Sequence, residues 1–369
     1  MNIQKESFII RSMKALTWAE GKLVICNGNK VYIFDPITKQ KKYLVTIPYR
    51  KKFQLFAKIG VLNRLLRLNI PYGYFSEKLN ILFITAGGYI YEIDIQNGFI
   101  LGSWQIANGD RVLNLTEIYN LPGFNDGIYF GEYYNNAEYK PVSIFHRKSI
   151  AEWQPVLTFE KYEFYHIHNL IPDYYRNCVW CFTGDLDEHS IIWKIESKFT
   201  IKHKVFAGKQ MFRSCTGIVL EDRLVYATDS QFETNYLCEI VFEENESIHN
   251  KLFELEGSVI YGNTLQNSFL FSTAVEPGEF VTKFSMKRLV NRTRGPGIKS
   301  NYAKIMLYEC NTSTIKEVYK NEKDFLPFYL FQYGVLIFPS NCKEADFLSF
   351  YSTGLKINDC STTLINITI

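Results

Sequence analysis

Short apolar or alternating runs recur along the whole chain, each closed by a turn signal and followed by another such run. Gly21-Lys-Leu-Val-Ile-Cys26, then Asn27-Gly28-Asn29, then Lys30-Val-Tyr-Ile-Phe-Asp35 reads as a β-hairpin, because Asn-Gly supplies the backbone twist a tight turn needs. The pattern returns at residues 80–94, 127–145, 178–194, 223–241, 268–308 and 334–352, which makes seven hairpins. Their starts lie roughly 40 to 70 residues apart, with strand-like segments such as 157–159 and 316–319 in the gaps. About four strands recurring at that period is the signature of a propeller blade, in which radial closure leaves little exposed sheet edge. The spacing therefore predicts an all-β fold, a seven-bladed β-propeller, as one domain over residues 1–369.

No run of ten or more residues has helical periodicity followed by a parallel-strand signal, which argues against a doubly wound α/β fold. Residues 287–300, with Arg292, Arg294, Gly295, Pro296 and Gly297, read as an insertion within a blade. Composition strengthens the sheet reading: 16% of residues are aromatic, including 25 Tyr and 29 Phe, and such side chains favour pleated, half-buried surfaces. Hydrophobic residues at 47% and charged residues at 21% supply a core and exclude a disordered chain.

A net charge of +3, with Lys and Arg spread along the chain, is too weak a field for a nucleic-acid partner. Lys5, Glu6, Arg11 and Lys14 interrupt the apolar runs of residues 1–16, unlike the uncharged core of a secretory signal. No stretch approaches the ~18 apolar residues of a membrane span, so a cytoplasmic protein is expected. Eight scattered cysteines read as reduced thiols. Cys178 and Cys181 form a CxxC, but on a strand residues three apart face opposite sides, which disfavours a shared metal.

The chemistry is expected where polar residues interrupt the apolar trend. Glu132, Asp185, Asp229 and Glu276 follow strands; His166 and His168 begin one and share a face; Gln210 and Arg213 enter another. Each holds a similar place in its blade, so radial closure would gather them in a polar funnel. Carboxylates and imidazoles suit acid/base work, and a guanidinium suits a carboxylate ligand; together they point to an acidic oligosaccharide or polysaccharide. Asp185 and Asp229 equally suit turns, Glu132 and Glu276 solvated loops, and Arg213 stacking beside Phe212. His146, His189, His203 and His249 lie among charged or turn residues and read as surface. Tyr133-Tyr134 and Tyr174-Tyr175 lie in loops and suit sugar stacking or cover for the blades. No phosphate-binding loop or Gly-x-Ser-x-Gly setting is present, which removes kinase and esterase readings.

Residues 144–153, Ile-Phe-His-Arg-Lys-Ser-Ile-Ala-Glu-Trp, keep the Trp and lose the Asp of a Ser-x-Asp-x-Gly-x-Thr-Trp turn, and residues 192–200 form a weaker copy. The chain thereby resembles the Asp-box, or BNR-repeat, sialidase-like propellers. Its His pair with Gln210 is similar to the metal-binding arrangement of propeller-type oligogalacturonate lyases, which implies a divalent metal on His166, His168 and Gln210. Two functions follow: a glycosidase or polysaccharide lyase using the funnel, or a non-catalytic propeller that binds a glycan or a protein there.

Overall fold

The second strand of each repeat is an almost unbroken apolar run, as in Ile81–Ala86, Cys178–Gly184 and Ser268–Ala274, and every residue of these three strands is buried. A strand with no solvent-facing side must be covered on both faces, which is the situation of a sheet sandwiched between two others. The computed structural model, which describes residues 2–244, 246–265, 267–278, 286–342 and 346–368, shows that arrangement. The described residues form seven four-stranded antiparallel sheets, arranged as the blades of a seven-bladed β-propeller.

Blades 1 to 6 take consecutive strands within residues 14–46, 72–105, 116–159, 166–207, 214–255 and 258–322, ordered from the inner strand outward. Blade 7 takes Val335–Ile337, Phe347–Thr353 and Ser361–Thr368, and the chain start closes it from outside. Asn2–Ile10 pairs antiparallel with the final strand, Phe8 opposite Leu364 and Ile10 opposite Thr362. The two ends of the chain are thus tied into one sheet, which closes the ring.

The core is a series of layers between adjacent blades. Leu16, Val24 and Val31 of blade 1 pack with Phe75, Leu82 and Ile84 of blade 2, and equivalent layers join the other neighbours. Cys181 lies in the layer between blades 3 and 4, while Cys178 lies in that between blades 4 and 5. The CxxC therefore points to opposite faces, as strand geometry requires, and all eight cysteines are buried and unpaired.

The turn that resembles an Asp-box joins Val142–Ser149 to Glu152–Phe159, and its Trp153 packs against Phe83 of blade 2 and Phe130. The missing Asp is replaced from the neighbouring blade. The fully buried Glu92 accepts from Arg147 Nε at 3.0 Å, Arg147 Nη2 at 2.7 Å and the Ala151 amide at 3.1 Å.

Helical segments are short and lie at one mouth of the ring, where second strands end and inner strands begin. Among the described residues they are a 3-10 helix, Lys51–Lys58, with helix Gly60–Leu66 between blades 1 and 2, the 3-10 turns Asp187–His189 inside blade 4 and Gln210–Phe212 between blades 4 and 5, Met286–Leu289 inside blade 6, and Phe328–Phe331 between blades 6 and 7. Among the described residues, no helix is long and apolar enough to cross a membrane.

Candidate functional site

Antiparallel order within a blade sends the second strand back to the mouth where the inner strand began. Residues that follow second strands and residues that open inner strands therefore meet at that mouth. Glu132 follows Gly127–Gly131, Asp185 follows Cys178–Gly184, Asp229 follows Arg223–Thr228, and Glu276 lies two residues beyond Ser268–Ala274. His166 opens His166–Asp173, Arg213 immediately precedes Ser214–Val219, and Gln210 opens the 3-10 turn Gln210–Phe212. Close approach demands a glycine at 184: a Cβ there would sit 2.5 Å from His168 Cε1.

Two backbone carbonyls set the imidazole tautomers. Tyr134 O faces His166 Nδ1 at 3.0 Å and Ser214 O faces His168 Nδ1 at 3.1 Å, so each Nδ1 donates. The two Nε2 atoms then face one another at 3.0 Å, with Asp185 Oδ1 3.5 Å from His166 and 3.3 Å from His168. Three acceptors this close require positive charge between them: a proton on one Nε2 or a metal ion. A divalent ion with bonds of about 2.1 Å spaces its neighbouring ligands by roughly 3 to 3.4 Å, so the donor set fits one. His168, Cys215 and Asp229 form a second, deeper trio. There burial, and then Asp229, raises the Cys215 pKa well above its usual value and keeps it a thiol, a poor ligand.

Arg213 is buried and ties the carboxylates together. Its Nη2 lies 3.1 Å from Asp185 Oδ1 and 3.3 Å from Asp229 Oδ2, and its Nη1 donates to Gln231 Oε1 at 3.0 Å. Burial works against the guanidinium charge, but Asp229 and Asp185 prevail and raise its pKa. Burial also opposes the Asp185 charge, yet Arg213 and the imidazoles outweigh it and hold this carboxyl well below the usual range. His168 moves the other way: burial, reinforced by His166 and Arg213, lowers it despite the Asp185 hydrogen bond, so the ring is neutral at neutral pH. Burial, followed by the charge of Asp229, pushes Glu276 up to about 8 although the Ser258 hydroxyl bonds its Oε1. One site thus holds an ionised carboxylate and a protonated one.

Several expectations need correction. Glu132 does not join the cluster: its carboxylate accepts from Asn108 Nδ2 and the Ser143 amide, both at 2.8 Å, and so braces blade 3. Gln210 uses its Nε2 on Asp185 O at 3.0 Å and Asp187 Oδ1 at 2.8 Å, and the third atom beside the two imidazoles is Asp185 Oδ1, not Gln210. Three of the four histidines read as surface are not. His146 is buried and stacks on Tyr129 at 4.3 Å, His189 is buried against Tyr139, and half-buried His249 lies 2.8 Å from Tyr226 Oη; His203 is exposed. Exposed Tyr174 and Tyr175 lie in the turn between the inner and second strands of blade 4, at the opposite mouth.

The sequence reading also missed part of the funnel. Tyr133 packs its ring 4.2 Å from His166, and Arg111 lies over Tyr133 at 5.7 Å and within electrostatic reach of Tyr261. Tyr333 lies within electrostatic reach of Glu276 and Tyr133, and burial, followed by the Glu276 charge, raises its pKa. Arg111 is exposed to solvent, and Tyr133, Tyr261 and Asp110 lie within its electrostatic reach. A usable signal existed: Arg111 precedes the inner strand of blade 3 much as Arg213 precedes that of blade 5.

No protein-family model matches the chain, and no curated protein matches it. Among solved structures it is similar to a chain in the crystal structure of a mitotic checkpoint complex, with a TM-score of 0.57 at 7% identity, over 100% of this chain and 94% of that one. Identity that low shows the propeller fold alone.

Proposed function

We propose that the funnel binds an acidic glycan through its carboxylate and cleaves it by elimination, as a polysaccharide lyase does. The observation that carries this reading is the gathering at one mouth of an exposed cation, Arg111, three tyrosines, a neutral imidazole whose Nε2 faces His166 and Asp185, and a protonated carboxyl. Tyrosine faces suit the apolar faces of sugar rings, and a guanidinium pairs with a uronate carboxylate in two parallel hydrogen bonds. The sequence reading gave that clamp to Arg213; its occupied Nη atoms favour Arg111 instead. In elimination, His168 Nε2 takes the proton from the carbon beside the carboxylate, the C–O bond to the leaving sugar breaks, and a C=C bond forms. Glu276 gives its proton to the leaving oxygen. A divalent cation held by His166, His168 and Asp185 would supply charge against the substrate carboxylate but would occupy the His168 Nε2 lone pair, so elimination through His168 belongs to the cation-free site.

Hydrolysis is less well supported, because Arg213 fills the gap between Asp185 and Asp229 where a glycosidic bond would have to lie. The degenerate Asp-box turn at Trp153 supports the carbohydrate-active class without choosing a reaction. A second reading, a binder without turnover, is favoured by the pairing of Asp185 with Arg213 and both imidazoles, which engages these groups with one another. Purified protein is screened against uronate-containing oligosaccharides, with and without Mn²⁺, for ultraviolet absorbance of unsaturated products and for new reducing ends. Absorbance lost in His168→Ala supports the lyase, reducing ends alone indicate a hydrolase, and binding with neither leaves the binder. Dependence on Mn²⁺ separates the cation-loaded cluster from the proton-loaded one.

A further inference from the structure

Two insertions at the funnel mouth are basic and greasy at once. Residues 50–67 hold Arg50, Lys51, Lys52, Lys58, Arg64 and Arg67 and no Asp or Glu, and residues 286–299 are likewise free of acids, in a chain with 41 basic and 38 acidic residues. Buried Arg64 anchors the first insertion: its Nε donates to Phe331 O at 2.6 Å and its guanidinium pairs with Asp324 and Asp359. Helix Gly60–Leu66 packs on Phe328–Phe331, which in turn packs on Met286–Leu289, with the Phe328 amide bonded to Asn291 O at 3.1 Å. The insertions therefore form one rim over blades 6, 7 and 1.

That rim exposes apolar side chains that could have been buried or omitted: Leu55 at 90%, Phe325 at 73%, Met286 at 71%, and Val61, Val290 and Ile357. Lys51, Lys52, Lys58, Lys287, Arg292 and Arg294 stand exposed among them, with no acidic partner among the described residues. Apolar residues projecting between unpaired cations are the composition of a surface that lies in an anionic membrane interface. A sugar would not select Leu55 or Met286.

We infer that this rim docks the propeller on an anionic lipid surface, cations on the headgroups and apolar tips among the acyl chains. The funnel opens at the same mouth, so it would face the bilayer; that its substrate is then a membrane-anchored acidic glycan rests on the function proposed above.

The test is sedimentation of the full chain with neutral phosphatidylcholine vesicles and with vesicles carrying about 30% phosphatidylglycerol. Retention on the anionic vesicles only, weakened by salt, is expected. The charge variant Lys51→Glu/Lys52→Glu/Lys287→Glu and the apolar variant Leu55→Ser/Met286→Ser should each bind more than tenfold more weakly. No retention, equal retention on both vesicles, or variants that bind like wild type would overturn the inference. So would capture of polyglutamate without vesicle binding, which would point to an acidic protein partner. A soluble uronate oligosaccharide titrated into the same proteins keeps the two readings apart: both variants should bind it like wild type, and failure of every protein to bind it sinks the glycan reading alone.

Discussion

Replacing Arg213 with Met removes the guanidinium that pairs with buried Asp229 and with half-buried Asp185. At contacts of 3.1 and 3.3 Å and an effective dielectric constant of about 20, each attraction is about 5 kcal/mol before desolvation is subtracted. Desolvating the guanidinium offsets most of that sum, so the pairing adds little net stability, but removing Arg213 leaves Asp229 buried without its cation, while half-buried Asp185 keeps the imidazoles. The expected loss is about 3 to 5 kcal/mol near neutral pH. Its pH dependence has a definite sign. The folded-state pKa of Asp185 is depressed, so its contribution is present above the unfolded value and is lost as pH falls through the folded one. Without Arg213 the carboxylates protonate at higher pH, so the gap between variant and wild type should narrow as pH drops towards about 4. Urea unfolding followed by tryptophan fluorescence at several pH values measures it. A loss under about 1 kcal/mol, or one that does not change with pH, would refute the reasoning.

Glu276→Gln removes a carboxyl that is protonated when folded. The raised folded pKa means that wild type loses stability as pH rises from the unfolded value towards about 8, so the variant should gain on wild type over that window by at least ~1 kcal/mol in urea midpoints. Its turnover should nevertheless collapse, because the amide cannot donate the proton to the leaving group. Glu92→Gln breaks the cross-blade contact with Arg147 and Ala151 and should cost about 3 kcal/mol by the same unfolding measurement. Gly184→Ala drives a methyl into His168; a loss of ~1 to 3 kcal/mol is expected together with displaced histidine signals in proton NMR, whereas unchanged signals would contradict the packing.

The blade rhythm was legible because strand period and turn chemistry are local: Asn27-Gly28 and the apolar run of residues 178–183 declare themselves without knowledge of their neighbours. The polar ring was legible for a related reason, since equivalent positions in successive blades must meet, and Asp185, Asp229 and Arg213 do. Roles were not legible, because they depend on partners brought from other blades. Asn108 claims Glu132, the Ser214 carbonyl orients His168 from the next blade, and Gln231 takes a hydrogen bond from Arg213 Nη1. His146 and His189 were misplaced because polar sequence neighbours conceal a burial that stacking rings create.

The central claim is that the funnel recognises a carboxylate-bearing sugar through Arg111. Isothermal titration with a uronate oligosaccharide, and with its methyl ester, compares wild type against Arg111→Gln. Loss of a paired charge should weaken binding at least about tenfold, both in the variant and in the ester. Equal affinity for acid and ester, with Arg111→Gln indistinguishable from wild type, would contradict it.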